Sequence, residues 1–163
     1  MRRRNMVETD VRITAADLYD YMLMHTYNSP SGIIGSTAGA LCVVAGFCTQ
    51  KWALLIAGAI VLLYLPLTLW TKSKLQWSAN TAFQEPLHYV FDDSGVTVSQ
   101  GEASESQAWE DMVKAVSTTR SIILYTSGRN ASIFPKAQLG DQRAELIEVI
   151  STHMPPSKVK IRS

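Results

Sequence analysis

Two apolar runs, residues 33–49 and 52–70, follow one another with only Gln50 and Lys51 between them, and neither contains a charged side chain. At the helical rise of 1.5 Å per residue they span about 26 and about 28 Å, close to the ~30 Å hydrocarbon core of a bilayer. The alternative is a helical hairpin buried in a soluble core. A chain of 163 residues has too little interior to cover two such runs back to back. The pattern therefore predicts a transmembrane helical hairpin.

The details of the runs fit lipid. Trp52 opens the second run, Trp70 closes it and Trp77 lies one to two turns further on. Tryptophan favours the headgroup level because its ring is apolar while its N–H needs a partner. Lys72 and Lys74, just beyond Trp70, complete a set of interface anchors with Trp52 and Trp70. Gly35 and Gly39 have the small-x-x-x-small spacing that lets helix backbones approach, and Ala53 and Ala57 offer a similar face on the second run. The two-residue connection requires antiparallel packing, so these small faces are expected to serve the hairpin. A homodimer is the other use open to them. Pro66 frees the carbonyl of Leu62 and predicts a kink.

Charge bounds the function. The formal net charge is +1, which leaves no electrostatic footprint for nucleic acid. Both cysteines, Cys42 and Cys48, lie in the first apolar run without histidine or carboxylate beside them, and are read as small apolar groups. The opening Met-Arg-Arg-Arg is not read as a signal sequence, because the first apolar run begins near residue 33 rather than a few residues on. The hairpin tip carries Lys51 alone, whereas the outer ends carry Arg2, Arg3 and Arg4 on one side and Lys72 and Lys74 on the other. The positive-inside bias then puts both termini in the cytoplasm.

Around the hairpin the pattern is mixed α+β. Residues 7–13 alternate as a short strand with Val7, Val11 and Ile13 on one face. Thr14 and Asp17 have capping-box spacing before a helix over 15–27, expected at the membrane interface or under the folded unit. Residues 28–32 break the chain before the first apolar helix. After Pro86 the period changes to two. Strands are expected from Leu87 to Phe91, from Val96, over 112–118, over 121–126 as the central strand, and over 131–134. Turns are expected at 92–95 and 127–130. Residues 100–107 are polar and read as an edge strand or a loop. A helix over 141–154 presents Ala144, Ile147, Ile150 and Met154 to a core, and Trp109 is expected to be buried against Ile147 and Ile150.

The division that follows is an N-terminal strand and helix (1–32), the hairpin (33–70), a linker or helix extension (71–85), a C-terminal domain (86–154) and a disordered basic tail (155–163). A strand at 7–13 cannot be stable alone. The hairpin returns the chain to the side it left, so this strand is expected to join the C-terminal sheet with the 15–27 helix packed beside it.

Trp109, the Ile122-Ile123-Leu124-Tyr125 strand and Ala131-Ser132-Ile133-Phe134-Pro135-Lys136 before a final helix resemble the YcxB-like family of bacterial membrane proteins. The opening Val11-Arg12-Ile13-Thr14-Ala15-Ala16-Asp17-Leu18-Tyr19-Asp20-Tyr21 also looks like that family's N-terminal segment. Phe134 stands where an aliphatic residue is more usual, a conservative departure. The resemblance implies a membrane α+β fold. That implied fold is a two-helix transmembrane hairpin inserted in a pleckstrin-homology-like (PH-like) antiparallel sheet capped by a C-terminal helix. It implies a bacterial cytoplasmic membrane and carries no activity with it.

No pattern in the chain points to catalysis. His25, His88 and His153 are isolated in sequence, and neither H-x3-H nor C-x2-C spacing occurs for a metal. A phosphate-binding glycine loop and a nucleophile elbow are also missing, and no cofactor is expected. The apolar runs hold no ionisable residue other than cysteine and tyrosine, which argues against an ion pathway. Asp92 and Asp93 occupy the hairpin where phosphoinositide-binding PH domains need basic residues. The candidate interaction residues are Trp109, Pro135 and Lys136, with Lys136 offered to an anionic headgroup or a partner's carboxylate. The expected function is non-enzymatic: a membrane protein presenting a PH-like domain to the lipid surface or to an unidentified protein. The alternatives are an accessory subunit of a membrane complex and, more remotely, a membrane-anchored hydrolase.

Overall fold

The computed structural model describes residues 6–128 and 130–161. The expectations that rested on Arg2, Arg3, Arg4, Arg129 and Arg162 fall outside these residues. The chain runs β1 (Val7–Val11), α1 (Ala15–Tyr27), α2 (Pro30–Thr49) and α3 (Trp52–Ala79). It continues with β2 (Leu87–Phe91), β3 (Gly95–Gln100), β4 (Ala103–Ala108), β5 (Lys114–Ser117), β6 (Ser121–Tyr125) and β7 (Ala131–Pro135). It ends with α4 (Lys136–Leu139), α5 (Gln142–His153) and β8 (Val159–Lys160).

Local chemistry explains most boundaries. The Thr14–Asp17 capping box forms in full and starts α1. The break expected over 28–32 is confined to Asn28 and Ser29. Ser29 caps α2 by accepting from the Gly32 amide at 3.1 Å, and Pro30 occupies the first helical position, where its missing N–H costs nothing. Gln50 closes α2 in the left-handed conformation with φ 53°, and the Lys51 amide reaches back to the Gly46 carbonyl. The chain therefore reverses in two residues. The second apolar helix does not stop at Trp70 but continues through Thr71 to Ala79. Asn80 then caps a short 3-10 turn, Thr81–Phe83.

α2 and α3 are each long and apolar enough to cross a membrane. Their contact is lined by glycines, but not the set the four-residue spacing suggested. A Cβ on Gly39 would lie 3.0 Å from Leu62, one on Gly46 would lie 2.7 Å from Leu55, and one on Gly58 would lie 2.8 Å from the Gly39 carbonyl. Gly35 has nothing within 4 Å, and Ala53 and Ala57 are exposed. The buried glycines of α2 are Gly32, Gly39 and Gly46. They repeat every seven residues, so Gly39 and Gly46 keep one seam facing α3 along a shallow crossing, while Gly32 faces the Thr26 carbonyl near the end of α1.

Two four-stranded sheets follow, ordered β1-β2-β3-β4 and β7-β6-β5-β8. β1 pairs antiparallel with β2 in register Val7 to Phe91 through Val11 to Leu87, so the sheet is completed across the helical hairpin. Val7, Thr9 and Val11 point inward and Glu8 and Asp10 outward. Of residues 100–107, Gln100 ends β3, Gly101 and Glu102 form the turn, and 103–107 lie in the edge strand β4. The inner faces of the sheets meet at Tyr89, Phe91 and Phe134, with ring centroids 4.8 and 5.5 Å from Phe134. α5 covers one side with Leu146, Val149, Ile150 and Met154. Ala144 is exposed and Ile147 only half-buried, so the core stripe is rotated from the one expected.

β6 is buried at every position. Ile122 and Leu124 join the core between the sheets. Alternation turns Ser121, Ile123 and Tyr125 to the opposite face, where α1 lies. α1 therefore fills the space between this face and α3, rather than packing beside β1. Of the segment expected to be a disordered tail, residues 155–161 are ordered. Pro156–Lys158 forms a 3-10 turn, Val159 and Lys160 pair in parallel with Ala115 and Val116, and Val159 and Ile161 pack against the core.

Two outcomes are expected. Gly46→Leu should lower stability by about 1–3 kcal/mol in a detergent melt, the usual cost of overpacking, while Gly35→Leu should melt like the parent. Deleting residues 1–13 should abolish the cooperative near-UV melt of the sheets while leaving the helical signal of α2 and α3. An unchanged near-UV melt would show that β1 is dispensable.

Candidate functional site

The residues expected to meet partners do not converge. Trp109 is 8% exposed. Its Nε1 donates to the Asp92 carbonyl at 2.7 Å, and its ring stacks on His153 at 4.9 Å with 12° between planes. It locks the β2–β3 turn to the end of α5. The ring that meets it from that helix is His153, which also lies 3.5 Å from Asp93. Trp109 is thus a core residue, with Ile150 in the same cluster.

Pro135 is buried at the end of β7. Lys136 is turned inward: its Nζ donates to the Thr118 carbonyl at 2.7 Å and its amide to the Arg120 carbonyl at 2.8 Å. Desolvation by burial, then the Arg143 charge, hold its ammonium below the usual lysine pKa, against the pull of Asp20. Asp20 also accepts the hydroxyl of Thr118, and Asp17 lies 3.9 Å from Arg120. Lys136 therefore belongs to a polar joint between the start of α1 and the β5–β6 turn.

The interface anchors are placed as follows. Trp52 is exposed beside the hairpin tip, and Lys72 is exposed. Trp70 is half-covered by Lys74, whose Nζ sits 3.7 Å from the ring centroid. Gly46 faces Leu55 and Gly39 faces Leu62, so the same register brings Trp70 level with the first turn of α2. Trp77 instead faces the folded unit, donating from Nε1 to the Ile13 carbonyl at 2.9 Å.

What the fold does assemble is a groove of about 650 Å³ between the end of α1 and the β5–β8 edge. Its wall on the helix side is Met24, His25, Asn28 and Ser29. Its sheet side carries Lys114, Lys158 and Lys160, with Tyr125 beneath. Tyr21, His25 and Tyr125 form a ring cluster with centroids about 6 Å apart. Burial, then Tyr21, push the Tyr125 phenol up to about 12, so it stays protonated. Lys114 Nζ lies 4.6 Å over the Tyr125 ring, and Lys158 Nζ donates to the Met112 carbonyl at 3.0 Å. None of the residues lining the groove is acidic, and none of the three lysines forms an ion pair within 4 Å among the described residues.

The groove has a defined position. Asp20, early in α1, meets Thr118 just before β6, while Tyr21 and His25, later in α1, meet Tyr125 at its end. β6 therefore runs alongside α1 in the same direction, toward the start of α2, and the groove lies at that end. Lys136 lies at the other. Sequence reasoning missed the groove because Lys114 and Lys158 meet only through the parallel β5–β8 pair. The signal available was the alternation of Lys158-Val159-Lys160-Ile161. Two smaller clefts open between the sheets near Val98 and Gln107, and beneath α3 near Gln76 and Phe83. Among the described residues no three His, Cys, Asp or Glu side chains gather.

Residues 91–150 match the family model described as YcxB-like protein, so this stretch is similar to that family's domain. It begins at the last residue of β2 and ends within α5. No curated protein and no solved structure matches the chain.

Trp109→Ala is expected to lower the unfolding free energy by ~3–5 kcal/mol in a denaturant titration. A variant with the parent's midpoint would return Trp109 to the list of surface contacts.

Proposed function

We propose that the YcxB-like domain is a PH-like docking unit held against the cytoplasmic leaflet of a bacterial cell membrane by α2 and α3, both of which span the bilayer. The protein performs no chemistry of its own and presents the domain to a protein partner at the lipid surface. The apolar surface of the hairpin supports membrane insertion. Ile34 is 68% exposed and Phe47 71%, and so much bare apolar area is stable only in lipid or against another apolar surface. Two sheets, antiparallel except for the β5–β8 pair and packed face to face with a helix across one side, support the PH-like comparison.

The observation that carries the reading is the continuity of α3 from the apolar hairpin into the folded unit, with Trp77 bonded to the Ile13 carbonyl. A flexible linker would let the domain swing. A helix with its end hydrogen-bonded into the fold sets the domain's height and orientation over the bilayer. Docking at a fixed orientation is what such a mount serves.

Topology is testable by cysteine labelling in a Cys42→Ala, Cys48→Ala background. An impermeant maleimide applied to intact cells should modify Lys51→Cys and spare Lys160→Cys until the membrane is opened. Labelling of residue 160 in intact cells would overturn the orientation, and protection of both would leave the tip unexposed.

A further inference from the structure

We infer that the lysine groove between the end of α1 and the β5–β8 edge binds the headgroup of an anionic phospholipid from the leaflet in which α2 begins. The inference rests on the membrane reading above and adds a ligand to it. Three observations carry it. The first is charge: Lys114, Lys158 and Lys160 line one concavity without a carboxylate in its wall. Positive charges brought together by the fold and left uncompensated favour an anion. The second is how the ammonium groups are held. Lys114 is seated over Tyr125 and Lys158 is tied by one N–H to Met112. Both retain donors for a phosphate oxygen, and part of the ordering cost is met before a ligand arrives.

The third is level. Asn28 and Ser29 border the groove and immediately precede Pro30, the first residue of α2. If α2 enters the hydrocarbon within its first turn, the groove sits at the depth of lipid phosphates. Trp70 with Lys74 above it marks that level on α3. Val113 lies at the same rim, 43% exposed, an apolar contact suited to the glycerol and upper acyl region. The β2–β3 turn, with Asp92 and Asp93, is no competitor for phosphate. Asp92 Oδ1 accepts from Ser94 and Gly95, and Asp93 faces His153.

The test uses the full chain in detergent, with phosphatidylglycerol and phosphatidylcholine added at equal concentration and bound lipid counted by native mass spectrometry. The parent should retain phosphatidylglycerol over phosphatidylcholine by on the order of tenfold, as expected for a few lysines near an anionic headgroup. K114Q/K160Q should bring the two lipids near parity, and K114R/K160R should keep the preference. Lys158 is left in place because its bond to Met112 supports the β5–β8 edge.

Equal retention of both lipids by the parent, or an unchanged preference in K114Q/K160Q, would overturn the inference. Full displacement by inorganic phosphate at the lipid's concentration would do so too, assigning the groove to a free anion. Preferential capture of a polyglutamate peptide would assign it to an acidic protein segment. If circular dichroism shows that the glutamine variant does not fold, the parent's ratio decides alone. An alkaline wash of native membranes separates the two readings. Release of the protein would sink membrane insertion, whereas retention without lipid preference would sink only the groove.

Discussion

The backbone ladder between β1 and β2 is the constraint on which the rest of this structure depends. It joins two strands separated in sequence by the whole helical hairpin. Long insertions within a sheet ordinarily carry a closure entropy, here met by rigid geometry, since α2 and α3 return the chain beside its point of departure. Side chains then guard the free edge of β1. Gln138 accepts from the Arg12 amide at 2.8 Å and donates to its carbonyl at 2.7 Å, and Gln142 donates to the Glu8 carbonyl at 3.0 Å. Two glutamine amides thus stand where a further strand would pair, which satisfies polar backbone groups and blunts an edge open to aggregation.

The second constraint is the seating of α1. It lies between α3 and the outer face of the β7-β6-β5-β8 sheet, and different forces hold its two ends. At the start are Asp17, Asp20, Thr118 and Lys136, a charged and hydrogen-bonded joint. At the end are the rings of Tyr21, His25 and Tyr125. A polar joint fixes direction and an aromatic one fixes distance, so the sheet can neither slide nor turn over relative to the helices. This seating places the three lysines of the groove beside the start of α2 and turns Lys136 away from it.

Much of the architecture was legible in the sequence. The capping box at Thr14, the apolar run in β6 and the turn at Asp92 to Gly95 are local signals that form as expected, and the alternation over 7–13 forms a strand over Val7–Val11. That β1 joins the C-terminal sheet follows from the need to bury one face, and its partner there is β2. What failed were features set by phase and by distant contact. Gly35, Ala53 and Ala57 satisfied a spacing rule but lie off the seam that Gly39, Gly46 and Gly58 occupy. The α5 stripe was rotated because Leu146 and Val149, not Ala144, meet the sheets. The burial of Trp109 is expected from the sequence and found, whereas only tertiary contacts show that Lys136 faces inward. The groove arises from β8, whose lysines give it the composition of a disordered tail and conceal the period-two placement of Val159 and Ile161.

The interruption of the sheet by the hairpin also bears on how the protein is made. β1 leaves the ribosome before its partner β2, with α2 and α3 made in between. With the hairpin across a bilayer as proposed, a nascent chain that threads only one of the two helices strands β1 and β2 on opposite faces of the membrane. The sheet then keeps an open edge at β2, the kind of surface on which chaperones and proteases act. Correct insertion and completion of the fold become a single event, so the domain inspects its own biogenesis.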